Sequence, residues 1–78
     1  MPTLELYVRR WCPFCMKVRR FMEGRGIEIA LHDIGESADD RAFLLEKGGK
    51  GQVPCLFIDG EPLYESDDII AYLDKTFG

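Results

Sequence analysis

Long apolar runs are missing from this 78-residue chain: unbroken runs of hydrophobic residues extend four or five residues at most, where a membrane-spanning helix needs about 20. Histidine and tryptophan each occur once, and cysteine three times. An odd, unevenly spread cysteine count excludes the even disulfide framework of a small secreted protein. The opening residues, Met1-Pro2-Thr3-Leu4-Glu5, have no signal-peptide pattern, so a soluble, cytoplasmic protein is expected. Internal repeats, linkers and low-complexity stretches are also lacking, which leaves one domain over residues 1–78. A chain this short buries only about 60% of its unfolded surface, too little for a second domain or a large internal cavity. Disorder is excluded as well, because 46% of the residues are apolar and they are well spaced.

The net charge of −4 is distributed unevenly. Residues 1–25 carry Arg9, Arg10, Lys17, Arg19, Arg20 and Arg25 against Glu5 and Glu23, a balance of +4, and the remainder of the chain stands at −8. The total is acidic and no basic stripe is interleaved with aromatics, so nucleic acid is not an expected partner. Most of these charges read as solvated helix faces.

What is present falls into regular elements. Leu4, Leu6 and Val8 alternate with Glu5 and Tyr7 as a strand. Pro13 suits a first helical turn, where its missing N–H would have no partner. Phe14, Val18, Phe21 and Met22 then form an apolar stripe, with Gly24 and Gly26 closing the helix. Ile27, Ile29 and Leu31 alternate with Glu28 and His32 as a second strand, which completes a βαβ unit. Ser37 with Asp40 resembles a capping box for a helix from Ala38 to about Lys47. Gly48-Gly49-Lys50-Gly51 is a connector. Cys55–Ile58 reads as a central strand, and Asp59-Gly60 turns it into Glu61–Tyr64. Ser66 is expected to cap the last helix, with Asp67 and Asp68 in its first turn and Ile69, Ile70, Tyr72 and Leu73 on its apolar face. The order β-α-β-α-β-β-α predicts an α/β fold with a four-stranded mixed sheet flanked by three helices.

The chemistry is concentrated in Cys12-Pro13-Phe14-Cys15. A cysteine at a helix cap points its sulfur at unpaired backbone N–H groups, which stabilises the thiolate. Arg9, Arg10 and Lys17 add positive potential, so a lowered pKa is expected for Cys12; such sites span roughly 3.5 to 7.5. Cys15, one turn on, is placed to resolve a mixed disulfide formed at Cys12. Closing so short a loop stabilises the fold little, so the pair reads as a redox switch. The alternative, half of a zinc site, would need two further ligands, and only Cys55 and His32 remain; Pro13 and Phe14 fit a helix start better than a metal knuckle.

Trp11-Cys12-Pro13-Phe14-Cys15 after the first strand, Gln52-Val53-Pro54 before the third, and Ser66-Asp67-Asp68 at the last helix together resemble a dithiol glutaredoxin of the thioredoxin fold. The resemblance covers essentially the whole chain. It implies a glutathione-dependent thiol-disulfide oxidoreductase, an enzyme of electron transport and cell redox homeostasis, which reduces protein disulfides and protein-glutathione mixed disulfides. Cys12 and Cys15 are the implied catalytic residues. Pro54 is implied to be a cis proline facing them, leaving the Val53 backbone free to pair with the cysteinyl part of glutathione. Ser66 and Asp67 are implied to hold the γ-glutamyl carboxylate, with Asp67 or Asp68 meeting its amine. Phe14 with Arg9 or Arg10 would flank the glycyl end, and Gln52 completes the set of glutathione-binding residues.

The chain departs from the family pattern at Phe14, where many members have Tyr, and at Gln52, which replaces a frequent Thr. Tyr64-Glu65 replaces Gly-Gly, so that Tyr64-Glu65-Ser66-Asp67 is similar to the N-terminal domain of glutathione transferases. Glu65 thereby adds a carboxylate near the γ-glutamyl site. The resemblance implies glutathione as co-substrate, disulfide-containing or glutathionylated proteins as partners, no bound metal, no membrane and a monomer. One alternative is a [2Fe-2S] module in which two chains hold the cluster through Cys12 and two glutathiones; Pro13 counts against it, since such relatives usually have Gly there. Another is a redoxin recharged by thioredoxin reductase for ribonucleotide reductase. Cys55 reads as a buried structural thiol, His32 as a strand-end surface residue, and Phe21, Phe43 and Phe57 as core. Trp11 reads equally as an exposed ring beside the site or as a shield and partner contact.

Overall fold

The computed structural model describes residues 3–77. Seven elements follow in the expected order: β1 (Leu4–Val8), α1 (Pro13–Arg25), β2 (Ala30–Asp33), α2 (Ala38–Gly48), β3 (Cys55–Ile58), β4 (Glu61–Tyr64) and α3 (Ser66–Phe77). The strands form one mixed sheet in the order β2-β1-β3-β4, with β1 parallel to β2 and antiparallel to β3, and β3 antiparallel to β4.

The two central strands divide their side chains between two cores, as a period of two requires. Leu6, Val8 and Leu56 point to the face covered by α1 and α3, where they meet Cys15, Val18, Met22, Ile69 and Leu73. Tyr7, Cys55 and Phe57 point to the other face, where Ile34 and Leu44 close over them. Alternation in β1 predicted a half-buried strand, but Tyr7 is as buried as Leu6 because a central strand is covered on both sides. Among the described residues no helix is long and apolar enough to cross a membrane.

Several boundaries differ from the sequence expectation for identifiable reasons. β2 starts at Ala30, not at Ile27. Gly26 adopts φ 66° and the N–H of Ile27 bonds the Met22 carbonyl at 2.9 Å, so Ile27 ends α1 as its apolar stop residue before any strand begins. Leu31, opposite Leu6 on this edge strand, stays exposed. The α1 stripe also shifts: Cys15, Val18 and Met22 are buried, while Phe14 stands 61% exposed beside the first turn.

The Ser37 cap forms, with its hydroxyl accepting the Asp40 N–H at 3.2 Å, but the reciprocal half of the box does not. The Asp40 carboxylate turns instead to His32. At α3 the expected cap also moves by one residue. Ser66 is the first helical residue, and Glu65, at φ 72°, supplies the carbonyl that accepts the Ile69 N–H. Asp59 and Gly60 both take positive φ, as the expected tight hairpin requires.

Candidate active site

Cys12 follows the end of β1 and occupies the N-cap of α1 with extended backbone angles, φ −88° and ψ 118°. Pro13 sits in the first turn and forgoes an N–H that had no helical partner. This cap aims the Cys12 sulfur at the helix N-terminus, where it accepts the Cys15 N–H at 3.4 Å. Cys15, on the inner face of the same turn, is fully buried, and its sulfur accepts the Arg9 N–H at 3.5 Å. Burial pushes the Cys15 thiol up to about 12, against the lowering influence of the Arg9 N–H, while the neighbouring Cys12 raises it further. Cys15 therefore keeps its proton at neutral pH. All three cysteines are free thiols.

The second wall of the site comes from the segment before β3. The Val53–Pro54 peptide bond is cis, as the family resemblance implied, and the Val53 carbonyl oxygen lies 4.0 Å from the Cys12 sulfur. β1 and β3 are neighbours with Tyr7 opposite Cys55, so the end of one strand and the start of the other meet at the same edge of the sheet. The third wall is the start of α3. Together these segments enclose a groove of about 160 Å³ lined by Phe14, Lys17, Val53, Pro54, Glu65, Ser66 and Asp67.

Five of the residues singled out in the sequence are thus brought to one groove: Phe14, Val53, Pro54, Ser66 and Asp67. Gln52 stands behind it, donating its side-chain amide to Glu65 at 3.1 Å. Arg9, Arg10 and Asp68 are exposed and do not line it, and Arg10 instead lies over the Trp11 ring, 5.5 Å from its centroid. Trp11 itself is 80% exposed.

Lys17 is the groove residue that the sequence reading placed on the outer face of the helix. Its ammonium reaches across to the Asp67 carboxylate, tying α1 to the first turn of α3. The signal available in the sequence was its position one turn beyond Pro13, on the side facing Asp67. Glu65, expected to add a carboxylate near Ser66, does line the groove, but Gln52 binds one of its oxygens.

Cys55 lies on the opposite face of the sheet, in the core with Tyr7 and Phe57, and burial pushes its thiol up to about 11. It is buried, as expected. His32, expected on the surface, lies flat against Tyr7 with both ring nitrogens engaged by carboxylates. Among the described residues no group of three or more His, Cys, Asp or Glu side chains is arranged to hold a metal ion.

Comparison with known proteins agrees with this fold. The family model described as glutathione S-transferase, N-terminal domain, matches residues 6–78. Glutaredoxin 3 of Escherichia coli is 28% identical over 78 residues, covering 100% of this chain and 93% of its own. A probable glutaredoxin of Synechocystis is 32% identical over 69 residues, covering 87% of this chain and 78% of its own. Among solved structures, a thioredoxin-like protein superposes with a TM-score of 0.79 at 25% identity, covering 96% of this chain and 99% of that one. A rice glutathione transferase in complex with glutathione superposes with a TM-score of 0.76 at 29% identity, over 96% of this chain and 34% of the transferase. Matched along nearly its whole length by a transferase domain model and by glutaredoxins, the chain belongs to the thioredoxin-fold superfamily, in the family described as glutathione S-transferase, N-terminal domain, and with the glutaredoxins.

Proposed function

We propose that this glutaredoxin is a glutathione-dependent thiol-disulfide oxidoreductase acting on glutathionylated proteins and protein disulfides through Cys12. The observation that carries the reading is the setting of the Cys12 sulfur: it caps α1, accepts a backbone N–H at 3.4 Å, and stands 4.0 Å from the Val53 carbonyl beside the groove. A half-buried sulfur at a helix N-terminus is both reachable and offered a donor during exchange.

In deglutathionylation the Cys12 thiolate attacks the glutathione sulfur of a mixed disulfide. That S–S bond breaks, the protein thiolate leaves and takes a proton, and Cys12 carries the glutathionyl group. A second glutathione thiolate then attacks that glutathionyl sulfur, forming glutathione disulfide and restoring the Cys12 thiolate. With a protein disulfide, Cys12 forms the mixed disulfide first. Cys15 loses its proton, attacks the Cys12 sulfur, and the two electrons of the dithiol pass to the substrate. Two glutathiones reduce the resulting Cys12–Cys15 bond. Burial keeps Cys15 protonated until a mixed disulfide stands beside it, so Cys12 is the sulfur that opens the reaction.

The groove offers a complementary site for the tripeptide. The Val53 backbone pairs with its cysteinyl residue in the manner of an added strand. The N-terminus of α3 at Ser66 and Asp67 receives the γ-glutamyl carboxylate, the Asp67 side chain its amine, and Phe14 lies along the glycyl end. Support comes from the rice transferase, which is similar over nearly this whole chain and was solved with glutathione.

The test is reduction of a small glutathione mixed disulfide, coupled to glutathione reductase and NADPH. Turnover is expected from the unaltered protein and none from Cys12→Ser. Cys15→Ser should keep this activity and lose glutathione-driven reduction of a protein disulfide. No turnover by the unaltered, fully reduced protein would overturn the proposal.

A further inference from the structure

The groove beside Val53 accounts for one side of α1. Pro13, Met16, Lys17 and Arg20 recur at i, i+3, i+4 and i+7 and so share another side of the helix. They line a separate groove of about 330 Å³, twice the volume of the first. It begins at the residue directly after Cys12, and Lys17 is the one side chain that lines both grooves.

The surroundings of this second groove are apolar and basic together. Met16 in this groove and Trp11 just before Cys12 are exposed by 40% and 80%, and Phe14, which lines the neighbouring groove, by 61%. Arg9, Arg10, Arg19 and Arg20 are exposed, and among the described residues none of them takes part in an ion pair. The acidic surplus lies elsewhere, since residues 26–78 carry −8. Exposed apolar side chains beside arginines that no carboxylate of the described residues pairs with are complementary to a covering surface that is apolar and negatively charged.

From these features we infer that the Pro13–Met16–Arg20 groove is the docking site for protein substrates, and that its occupant is an acidic protein segment with an aliphatic or aromatic anchor next to the cysteine undergoing exchange. This rests on the oxidoreductase reading and divides the work around Cys12. Glutathione takes the side of α1 facing Val53 and Asp67, while the protein partner takes the side carrying Met16 and Arg20. The anchor sits against Pro13 and Met16, and carboxylates of the partner meet Arg20 and its neighbours. The exchange itself is unchanged: the Cys12 thiolate attacks the partner's disulfide or mixed-disulfide sulfur, and a partner or glutathione thiolate leaves.

Trp11, the only tryptophan, stands two residues before Pro13 and supplies a built-in reporter. Two synthetic peptides would be titrated against the reduced protein, each with Ser in place of the reactive Cys so that no sulfur chemistry intervenes. One carries Leu among Glu and Asp; the other carries Leu among Lys. The acidic peptide is expected to change Trp11 emission saturably, and the basic one to leave it unchanged. Binding should weaken about tenfold in Arg20→Glu, as expected for reversing a charge at an interface rim, and should fade as salt shortens the screening length below about 8 Å. Met16→Asp should weaken it as well. Both variants should reduce the small glutathione mixed disulfide at the unaltered rate. Equal responses to the two peptides, or indifference to both substitutions, would overturn the docking site even with full turnover of the small substrate. Selective binding of the acidic peptide without any such turnover would uphold the docking surface and overturn the glutathione-dependent reading instead.

Discussion

His32 stacks on Tyr7 with ring centroids 4.5 Å apart and planes 12° from parallel, while its Nδ1 lies 3.2 Å from Asp40 and its Nε2 3.1 Å from Glu5. One imidazole therefore joins the edge strand β2 to both β1 and the first turn of α2. Replacing His32 by Ala is expected to cost about 1–2 kcal/mol, combining a lost aromatic stack with the loss of two partly exposed polar contacts. His32→Phe, which keeps the stack, should recover about half of that. Urea denaturation of the three proteins checks both figures, and equal stability of His32→Ala and the unaltered protein would refute the bracing role. Turnover should be unaffected, since His32 packs on Tyr7 on the face of the sheet away from α1 and α3.

Gly48 ends α2 because Tyr64 needs its space. A Cβ at Gly48 would fall on the Tyr64 hydroxyl oxygen and lie 3.3 Å from Leu44 Cδ1. That hydroxyl is held by the Lys50 carbonyl at 3.0 Å, with the Lys50 ammonium 4.5 Å from the ring centroid. Gly48→Ala should destabilise the protein by about 1 kcal/mol despite the better helix propensity of Ala. Adding Tyr64→Phe, which removes the obstructing oxygen, should restore part of the loss. A thermal melt in which the double variant is the least stable of the set would refute the steric account.

Alkaline pH should weaken the fold. Burial raises Cys55 from 9.0 to about 11 and Cys15 to about 12, so above pH 9 the unfolded chain releases protons that the native protein retains. Unfolding is thereby favoured as pH rises: the stabilisation from keeping these thiols neutral is complete below about pH 9 and is lost through the native values. The slope is about 1.4 kcal/mol per pH unit for each thiol inside that window. Urea midpoints measured from pH 8 to 10.5 should fall, and fall less steeply in Cys55→Ala. Identical slopes for the two proteins would contradict this assignment for Cys55.

Lys17 and Asp67 bridge the groove beside Val53 and Pro54. Each side chain is largely exposed, with 52% and 81% of its surface accessible, so the pair itself adds little stability. On the proposed reading, Asp67 meets the amine of the tripeptide and Lys17 one of its carboxylates. Lys17→Ala and Asp67→Asn should each raise the KM for glutathione about tenfold, the scale of one hydrogen bond to a charged group, and leave the melting temperature nearly unchanged. Unaltered KM in both variants would remove them from the binding site.

Much of this arrangement was legible because single residues dictate it locally. Pro13 after Cys12 marks a helix start and puts the sulfur at the cap; Asp59-Gly60 marks a tight hairpin; the apolar run at 55–58 marks a central strand. Where the reading went astray, a tertiary partner decided the outcome. Ile27 looked like the first residue of a strand but serves as the stop of α1. Asp40 looked like half of a capping box, yet His32, eight residues earlier, takes its carboxylate. Lys17 looked like a solvated charge until α3 brought Asp67 across the groove. No periodicity in a sequence encodes which of two competing partners a carboxylate will choose.

The pairing of β1 with β3 acts as a gauge for the reaction. Cys12 and Val53 are far apart along the chain, yet each lies only a few residues beyond the strands that hold Tyr7 opposite Cys55. Slipping that pairing by a single residue would displace one wall of the site by about 3.4 Å relative to the other, nearly the full 4.0 Å that separates the Cys12 sulfur from the Val53 carbonyl. It would also exchange the two cores, turning Leu6 and Tyr7 each to the wrong side. The same hydrophobic alternation that holds the sheet in register thus sets the reach of the reactive sulfur, so side chains buried far from any substrate calibrate the chemistry at the rim.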